Sequence, residues 1–178
     1  MTKLNLFIHK LTHWEYWPYQ VVYLPVYFQY LYYVVRTRSF FYFNASNPTI
    51  KNGGFFMESK KEIYDLIPPQ YYPKTILIQP NDDFETILQR INSENIQFPL
   101  IAKPDIGLRG TAVKKIHNVE ELENYLKKAK FNILLQDLIP YENEIGLFYV
   151  KLPNQLGKIT GIVSKEFMIL TGNGKNTL

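Results

Sequence analysis

The chain has 178 residues and a mass of 21.0 kDa, which is enough to bury one core and to carry an appendage. Its 46% hydrophobic and 20% charged residues are typical of a globular protein and exclude a disordered one. The net charge of +4 comes with scattered lysines, so it does not predict nucleic-acid binding. The absence of cysteine excludes disulfides and thiolate metal sites and favours a cytoplasmic location.

The N-terminal part is rich in aromatic residues, since 15 of the 28 precede Asn44. No charge occurs in residues 16–35, and six tyrosines recur there at helical spacing: Tyr16, Tyr19, Tyr23, Tyr27, Tyr30 and Tyr33. Pro18 suits the first turn of such a helix, whereas Pro25 would kink it. We expect the tyrosine stripe to pack against protein. Contact of residues 14–38 with a membrane surface and formation of a homo-oligomer are the alternatives.

After a turn-rich loop at 44–54 the chain alternates between helices and strands. Hydrophobic spacing predicts helices at 58–67, 82–93 and 118–130, and strands at 75–78, 99–103, 133–139, 144–150 and 158–164. Asn118 is the expected N-cap of the third of these helices. The order of elements predicts an α+β fold with a largely antiparallel sheet.

Lys103 ends an apolar strand and precedes a glycine-containing loop, DIGLRGTAV at 105–113. Its stem can lie against apolar neighbours while its ammonium reaches a cleft. Gly107 and Gly110 let backbone N–H groups approach a ligand, and Arg109 can add charge, so the pattern suits phosphate oxygens. The alternative is an ordinary strand end at the surface.

A second candidate region is LLQDLIPYENEIGLFY at 134–149, a strand followed by a polar connection and another strand. Exposed main-chain groups at such a connection can bond a flat heterocycle, and Gln136 can add its side-chain amide. Glu144 opens the next strand and is able to accept two ribose hydroxyls. The alternative is a hairpin with solvated acids.

Together these segments resemble the ATP-grasp superfamily, in particular D-alanine–D-alanine ligase-like and cyanophycin synthetase-like carboxylate–amine ligases. The resemblance rests on PLIAKPDIGLRGTAV, NVEELENYL and ILLQDLIPYENEIGLFYV, with ESKKEIYDLIPPQYYPKTILI upstream and GIVSKEFMILTGNGKNTL at the end. It covers residues 58–178. The preceding residues are the predicted aromatic-rich helical segment and loop at 1–57. The resemblance implies a lead-in helix, strand and helix at 58–97 and an incomplete N-terminal, nucleotide-binding lobe of an ATP-grasp fold at 98–178.

The resemblance also implies roles for individual residues in binding ATP. Lys103 would contact the α- and β-phosphates, with Lys60, or its neighbour Lys61, as the second phosphate lysine. The residues Gly107, Arg109, Gly110 and Thr111 would belong to a mobile flap over the phosphates. Gln136 and the main chain of Leu138 would face the adenine, and Glu144 would hold the ribose. Lys165 would lie near the γ-phosphate or the substrate, although a solvated strand lysine is the alternative for that residue.

Two departures from the family pattern qualify this interpretation. Asn173 replaces an acid that is usual in the closing motif, and the sequence ends before the segment that normally supplies the Mg²⁺ ligands. We therefore expect no metal ligands within these residues and a partial chain of an ATP-dependent ligase that joins a small carboxylate to an amine or thiol through an acyl phosphate. A non-catalytic nucleotide-binding module and a membrane-associated scaffold are the alternative functions.

Overall fold

A computed structural model describes residues 3–55, 57–107, 110–166, 171, 172 and 174. The N-terminal segment is helical and broken: α1 (Lys3–Thr12), a 3-10 turn (Trp14–Tyr16), α2 (Tyr19–Val22) and α3 (Leu24–Thr37). Pro18 is the N-cap of α2 and Pro25 lies in the first turn of α3. The predicted helical structure of this segment is confirmed, but it forms two helices, α2 and α3, that are separated at Tyr23, two residues before Pro25. No helix among the described residues is long and apolar enough to cross a membrane.

One side of α3 contacts the loop that follows it. The Tyr30 hydroxyl donates a hydrogen bond of 2.7 Å to the Phe40 carbonyl, and the rings of Tyr30 and Tyr33 each lie 5.6 Å from the ring of Tyr42. Short 3-10 turns at Tyr42–Ala45 and Lys51–Gly54 fold the loop back on itself. A Cβ on Gly53 would meet the Phe43 carbonyl oxygen at 2.6 Å, so only glycine permits this approach. The more N-terminal tyrosines of the stripe, Tyr16, Tyr19 and Tyr23, are exposed.

The remaining elements form a four-stranded sheet with flanking helices and a separate hairpin. They are α4 (Lys60–Asp65), β1 (Thr75–Ile78), α5 (Phe84–Ser93), β2 (Leu100–Pro104), β3 (Lys114–Ile116), α6 (Val119–Leu126), β4 (Ile133–Asp137), β5 (Glu144–Val150) and β6 (Lys158–Lys165), with one more 3-10 turn at Pro69–Tyr71. The sheet order is β1-β4-β2-β3, and every neighbouring pair is antiparallel. The predicted α+β class with an antiparallel sheet is confirmed, as are the predicted helices and strands.

One face of the sheet carries the core. Alternate residues of the four strands point to this face and pack against α5 and α6, and they include Ile76, Leu100, Ala102, Ile116, Ile133 and Leu135. The Asp83 side chain caps α5 by accepting from the Thr86 N–H, and the Asn118 side chain caps α6 in the same way, as predicted. The caps satisfy N–H groups at the start of both helices, and the apolar sides of these helices cover this face of the sheet.

The hairpin of β5 and β6 is a separate two-stranded sheet with a bulge between Phe148 and Tyr149. Most of its residues on both faces are exposed. Asn173 and the stretch 167–170 of the closing motif lie outside the described residues. The division into 1–57, 58–97 and 98–178 stays a prediction, although β1 of the second part pairs with β4 of the third.

Candidate functional site

The face of the sheet opposite the core carries a cluster of polar side chains. Register places Gln136 on β4 directly opposite Thr75 on β1 and opposite Ile101 on β2. Lys103 lies two residues further along β2, on the same face as Ile101. Its side chain therefore meets Gln136 diagonally across the strand pair, a distance that a long side chain can span.

The Lys103 ammonium is bonded by neutral groups. Its Nζ donates to the Gln136 side-chain oxygen at 2.7 Å and to the Tyr64 hydroxyl at 3.0 Å, and it lies 5.4 Å from the centroid of the Tyr64 ring. Among the residues that the structure describes, none of the ion pairs involves Lys103. Because these neighbours carry no net charge, they leave the positive charge of the half-buried ammonium available to an anion.

Gln136 is the centre of this cluster and is itself only 7% exposed. Its side-chain nitrogen donates to the Thr75 hydroxyl at 2.7 Å and, less closely, to the Tyr64 hydroxyl at 3.4 Å. The amide is therefore engaged on both its oxygen and its nitrogen. Such an arrangement fixes the orientation of the amide and, through its oxygen, the position of the Lys103 ammonium.

Tyr64, on α4, closes the cluster from outside the sheet. Its ring stacks on the ring of Tyr72 at 4.9 Å with an angle of 8° between their planes. Burial would raise the pKa of the Tyr64 phenol, but hydrogen bonds from Lys103 and Gln136, with the positive charges of Lys103 and Lys60, outweigh it and lower that pKa. The local field at the phenol is thus positive, and both lysines contribute to it.

Lys60 binds the end of β2 and the start of the glycine loop. Its ammonium donates to three carbonyl oxygens, those of Pro104 at 3.2 Å, Asp105 at 2.9 Å and Gly107 at 3.4 Å. The neighbouring Lys61 instead pairs with Asp65, four residues along the same helix. Of the two candidate phosphate lysines, Lys60 is therefore the one that reaches the loop.

Asp105 fastens the start of α4 to the same point. Its side chain is 3% exposed and accepts from the Lys61 N–H at 2.9 Å, while its carbonyl accepts from the Lys60 N–H at 3.2 Å. Its own N–H donates to the Asn132 carbonyl at 2.9 Å. A buried carboxylate at the first turn of a helix satisfies N–H groups that have no partner within the helix. Asp105 therefore connects α4, the loop and the segment before β4.

The glycine loop continues with a turn. Gly110 has φ of +72°, a conformation that side chains disfavour, and its carbonyl accepts from the Val113 N–H at 3.1 Å. Gly107 and Thr111 are exposed on either side of this region. Arg109 lies outside the described residues. The described residues of this loop are therefore exposed and contain one turn.

The two charged residues predicted on the later strands pair with each other. Glu144 and Lys165 are register partners at the open end of the hairpin, form an ion pair, and are each 53% exposed. Leu138, directly after β4, is half-buried. The structure thus brings Lys60, Lys103, Gly107 and Gln136 together, whereas Glu144 and Lys165 form a second charged group on the hairpin.

No group of three histidine, aspartate or glutamate residues that could hold a metal ion occurs within the described ranges.

Sequence reasoning missed three members of the cluster: Tyr64, Thr75 and Asp105. A signal for Tyr64 was present, because it follows Lys60 by four residues in a helix and so lies on the same face. Thr75 and Asp105 carry no such local signal, since their partners Gln136 and Lys61 are 61 and 44 residues away.

Comparison with known proteins gives only partial similarities. No protein-family profile matches the sequence, and no curated protein matches it. Among solved structures, a D-alanine–D-alanine ligase from Helicobacter pylori is 15% identical with a TM-score of 0.46 over 67% of this chain. One from Bacillus anthracis is 14% identical with a TM-score of 0.34 over 63% of this chain. The chain spans 40% of the length of the first and 41% of the second.

Proposed function

We propose that this chain binds ATP, as part of an ATP-dependent ligase that joins a small carboxylate to an amine or thiol through an acyl phosphate. The observation that carries the proposal is the convergence of Lys60 and Lys103 at the start of the glycine loop. The two residues are far apart in the chain, yet the positive charge of each lowers the pKa of the Tyr64 phenol. In addition, the Lys60 ammonium donates to the carbonyl of Pro104, the residue that follows Lys103.

The phosphates are the part of ATP that this geometry suits best. A polyphosphate carries several negative charges, and two ammonium groups with exposed loop N–H groups neutralise them by charge-assisted hydrogen bonds. Lys103 is already oriented by Gln136 and Tyr64, so little side-chain freedom is lost when an anion binds. Lys60 exchanges its longest contact, the 3.4 Å bond to the Gly107 carbonyl, for a phosphate oxygen.

The nucleoside lies, in this proposal, along the end of β4. The Leu138 main chain faces the edge of the adenine. The neighbouring Gln136 side chain holds the Lys103 ammonium in place. Glu144 leaves its exposed pair with Lys165 to accept the ribose hydroxyls, an exchange that costs little because exposed ion pairs contribute little. Lys165 is then available to the γ-phosphate.

A triphosphate that is bound and whose charge is neutralised in this way can transfer its γ-phosphoryl group, and this defines the reaction class. A carboxylate oxygen attacks the γ-phosphorus, ADP leaves, and the nitrogen or sulfur nucleophile then displaces phosphate from the acyl carbon. The described residues contribute binding, orientation and charge neutralisation. No step in this proposal passes through a metal ion.

Isothermal titration with ATP, ADP, adenosine and inorganic triphosphate tests the proposal. We expect weak ATP binding with little dependence on Mg²⁺, and measurable but weaker binding of triphosphate and of adenosine. Absence of binding by all four ligands would contradict nucleotide binding. Strong binding that requires Mg²⁺ would contradict the proposed metal-independent site. ADP release with a panel of small carboxylates and amines then separates a ligase from a binding module.

A further inference from the structure

The N-terminal segment leaves an unusual amount of apolar surface uncovered. About half of the large hydrophobic side chains that are exposed in the described chain lie between Leu4 and Phe41, in less than a quarter of the sequence. Such a concentration of exposed apolar side chains favours contact with a partner or a membrane.

This apolar surface is organised in helical stripes. On α1, which is exposed on nearly every side, four apolar residues share one side at spacings of three, one and three: Leu4, Phe7, Ile8 and Leu11; Leu6 is exposed on another side. On α3, a second exposed stripe lies on a different side of the helix from the tyrosines that contact the loop, and it consists of Leu24, Phe28, Leu31 and Val35. A helix that packs against its own protein on one side ordinarily shows polar residues on the other. Here α3 shows apolar ones.

Charge indicates what covers these stripes. Residues 1–43 contain four basic side chains, Lys3, Lys10, Arg36 and Arg38, and one acid, Glu15, so they hold three of the chain's four net positive charges. Lys10 is exposed on α1, and Arg36 and Arg38 are exposed at the end of α3. An exposed apolar stripe beside basic residues, with Trp14 and Trp17 between the helices, is complementary to an anionic lipid surface.

We propose that residues 3–41 bind the surface of membranes that contain anionic lipids. The exposed apolar stripes of α1 and α3 insert among the lipids, and Lys10, Arg36 and Arg38 lie at the headgroups. The tyrosine side of α3 keeps its contacts with Tyr42. Nucleotide binding by the sheet and lipid binding by this segment use different residues. The two are therefore separable by mutation.

Sedimentation with vesicles tests the lipid proposal on the full chain. We expect binding to vesicles of phosphatidylcholine with phosphatidylglycerol, much weaker binding to phosphatidylcholine alone, and loss of binding as salt rises. The double variant Phe28→Gln/Leu31→Gln should bind at least tenfold more weakly, because both side chains belong to the exposed apolar stripe of α3. Glutamine keeps helix propensity, so far-UV circular dichroism should be unchanged.

Matched variants separate lipid insertion from general hydrophobicity and charge. Tyr141→Gln/Leu156→Gln removes two more exposed apolar side chains elsewhere and should leave vesicle binding unchanged. Lys10→Gln should weaken binding about fivefold, whereas Lys151→Gln, also exposed, should not. Equal binding by parent and Phe28→Gln/Leu31→Gln would overturn the proposal. So would a parent dimer that ignores vesicles and becomes monomeric in that variant, since a second copy would then cover the stripes.

Discussion

Lys103 and Gln136 lie on neighbouring antiparallel strands, and the Lys103 ammonium donates a 2.7 Å hydrogen bond to the Gln136 side-chain oxygen. The lysine is thus directed along the polar face of the sheet and is bonded by a neutral group. An ammonium in this setting favours an anion that can replace solvent. The first prediction tests that preference directly.

Replacing Lys103 by methionine keeps the length and the apolar stem of the side chain but removes its charge. Loss of a charge-assisted contact should weaken ATP binding by about 1.5–3 kcal/mol, or roughly ten- to a hundredfold. Adenosine, which has no phosphate, should bind the variant and the parent equally in calorimetry. Equal weakening of adenosine, or unfolding of the variant, would assign Lys103 a structural role.

Lys60 and Lys61 provide a matched pair of adjacent lysines. Lys60→Met removes the bonds to the Pro104, Asp105 and Gly107 carbonyls, so the free energy of unfolding should fall by about 1–3 kcal/mol and ATP should bind more weakly. Lys61→Met removes an ion pair on the helix surface and should change the free energy of unfolding by about 0.5 kcal/mol or less. Urea unfolding and ATP titration of both variants measure this difference. Equal effects would contradict the assignment of Lys60 to the loop.

Tyr64 should hold Lys103 in place through its hydroxyl. Tyr64→Phe keeps the ring that stacks on Tyr72 and removes the acceptor at 3.0 Å, so ATP binding should weaken about three- to tenfold with adenosine unaffected. Tyr72→Phe, which keeps the stack and lies outside the hydrogen-bond cluster, is the control. A loss of affinity in the control equal to that in Tyr64→Phe would assign the effect to packing of the rings.

The pKa of the Tyr64 phenol offers a readout that does not depend on ligand. It is lowered in the folded chain from its ordinary value of 10.0, so the folded state releases this proton at lower pH than the unfolded state. The resulting stabilisation is fully present above pH 10 and is lost as pH falls through the folded-state pKa. Lys103→Met should raise the pKa, as followed by NMR of ring-labelled tyrosine. An unchanged pKa in Lys103→Met would contradict the contact.

Asp105 should contribute to stability more than a surface acid does. Asp105→Ala removes the buried acceptor of the Lys61 N–H and should lower the free energy of unfolding by about 1–3 kcal/mol. Asp105→Asn keeps an acceptor oxygen and should cost less. Asp65→Ala, at an exposed position on the same helix, should have an effect of about 0.5 kcal/mol or less. Chemical denaturation of the three variants checks this order, and a reversed order would show that Asp105 does not hold α4.

Glu144 is the predicted ribose residue, and nucleotides that differ in one hydroxyl test it. The parent should bind ATP about five- to tenfold more tightly than 2′-deoxyATP, and Glu144→Gln should reduce this preference. Glu142→Gln changes a nearby exposed acid and should keep the preference. If the parent does not distinguish the two nucleotides, Glu144 does not hold the ribose and its pair with Lys165 is its only described role.

The sequence predicts the elements well and their contacts only in part. Helical periodicity locates α5 and α6, because burial on one face imposes the pattern, and continuous apolar runs locate β2 and β4 in the sheet. The contact of Lys103 with Gln136 depends on the register between strands, which local patterns do not specify. Asp105 looks like an ordinary loop acid, and its burial arises only when α4 packs against the end of β2. Hydrophobic periodicity also does not predict that one apolar side of α3 is exposed, because the pattern shows which residues are apolar and not which are buried.

The strand order has a consequence for how the chain folds. β2 and β3 form a local hairpin, whereas Lys103 and Gln136 are 33 residues apart and Thr75 and Gln136 are 61 apart. Loop-closure entropy favours the shortest connection, so we expect the hairpin to form first, β4 to join it next and the edge strand β1 to add last. The contact of Lys103 with Gln136 should then form in the same step as the pairing of β2 with β4. An anion bound at Lys103 should slow unfolding by holding β2 and β4 together, and should leave the β2–β3 hairpin's own formation rate unchanged.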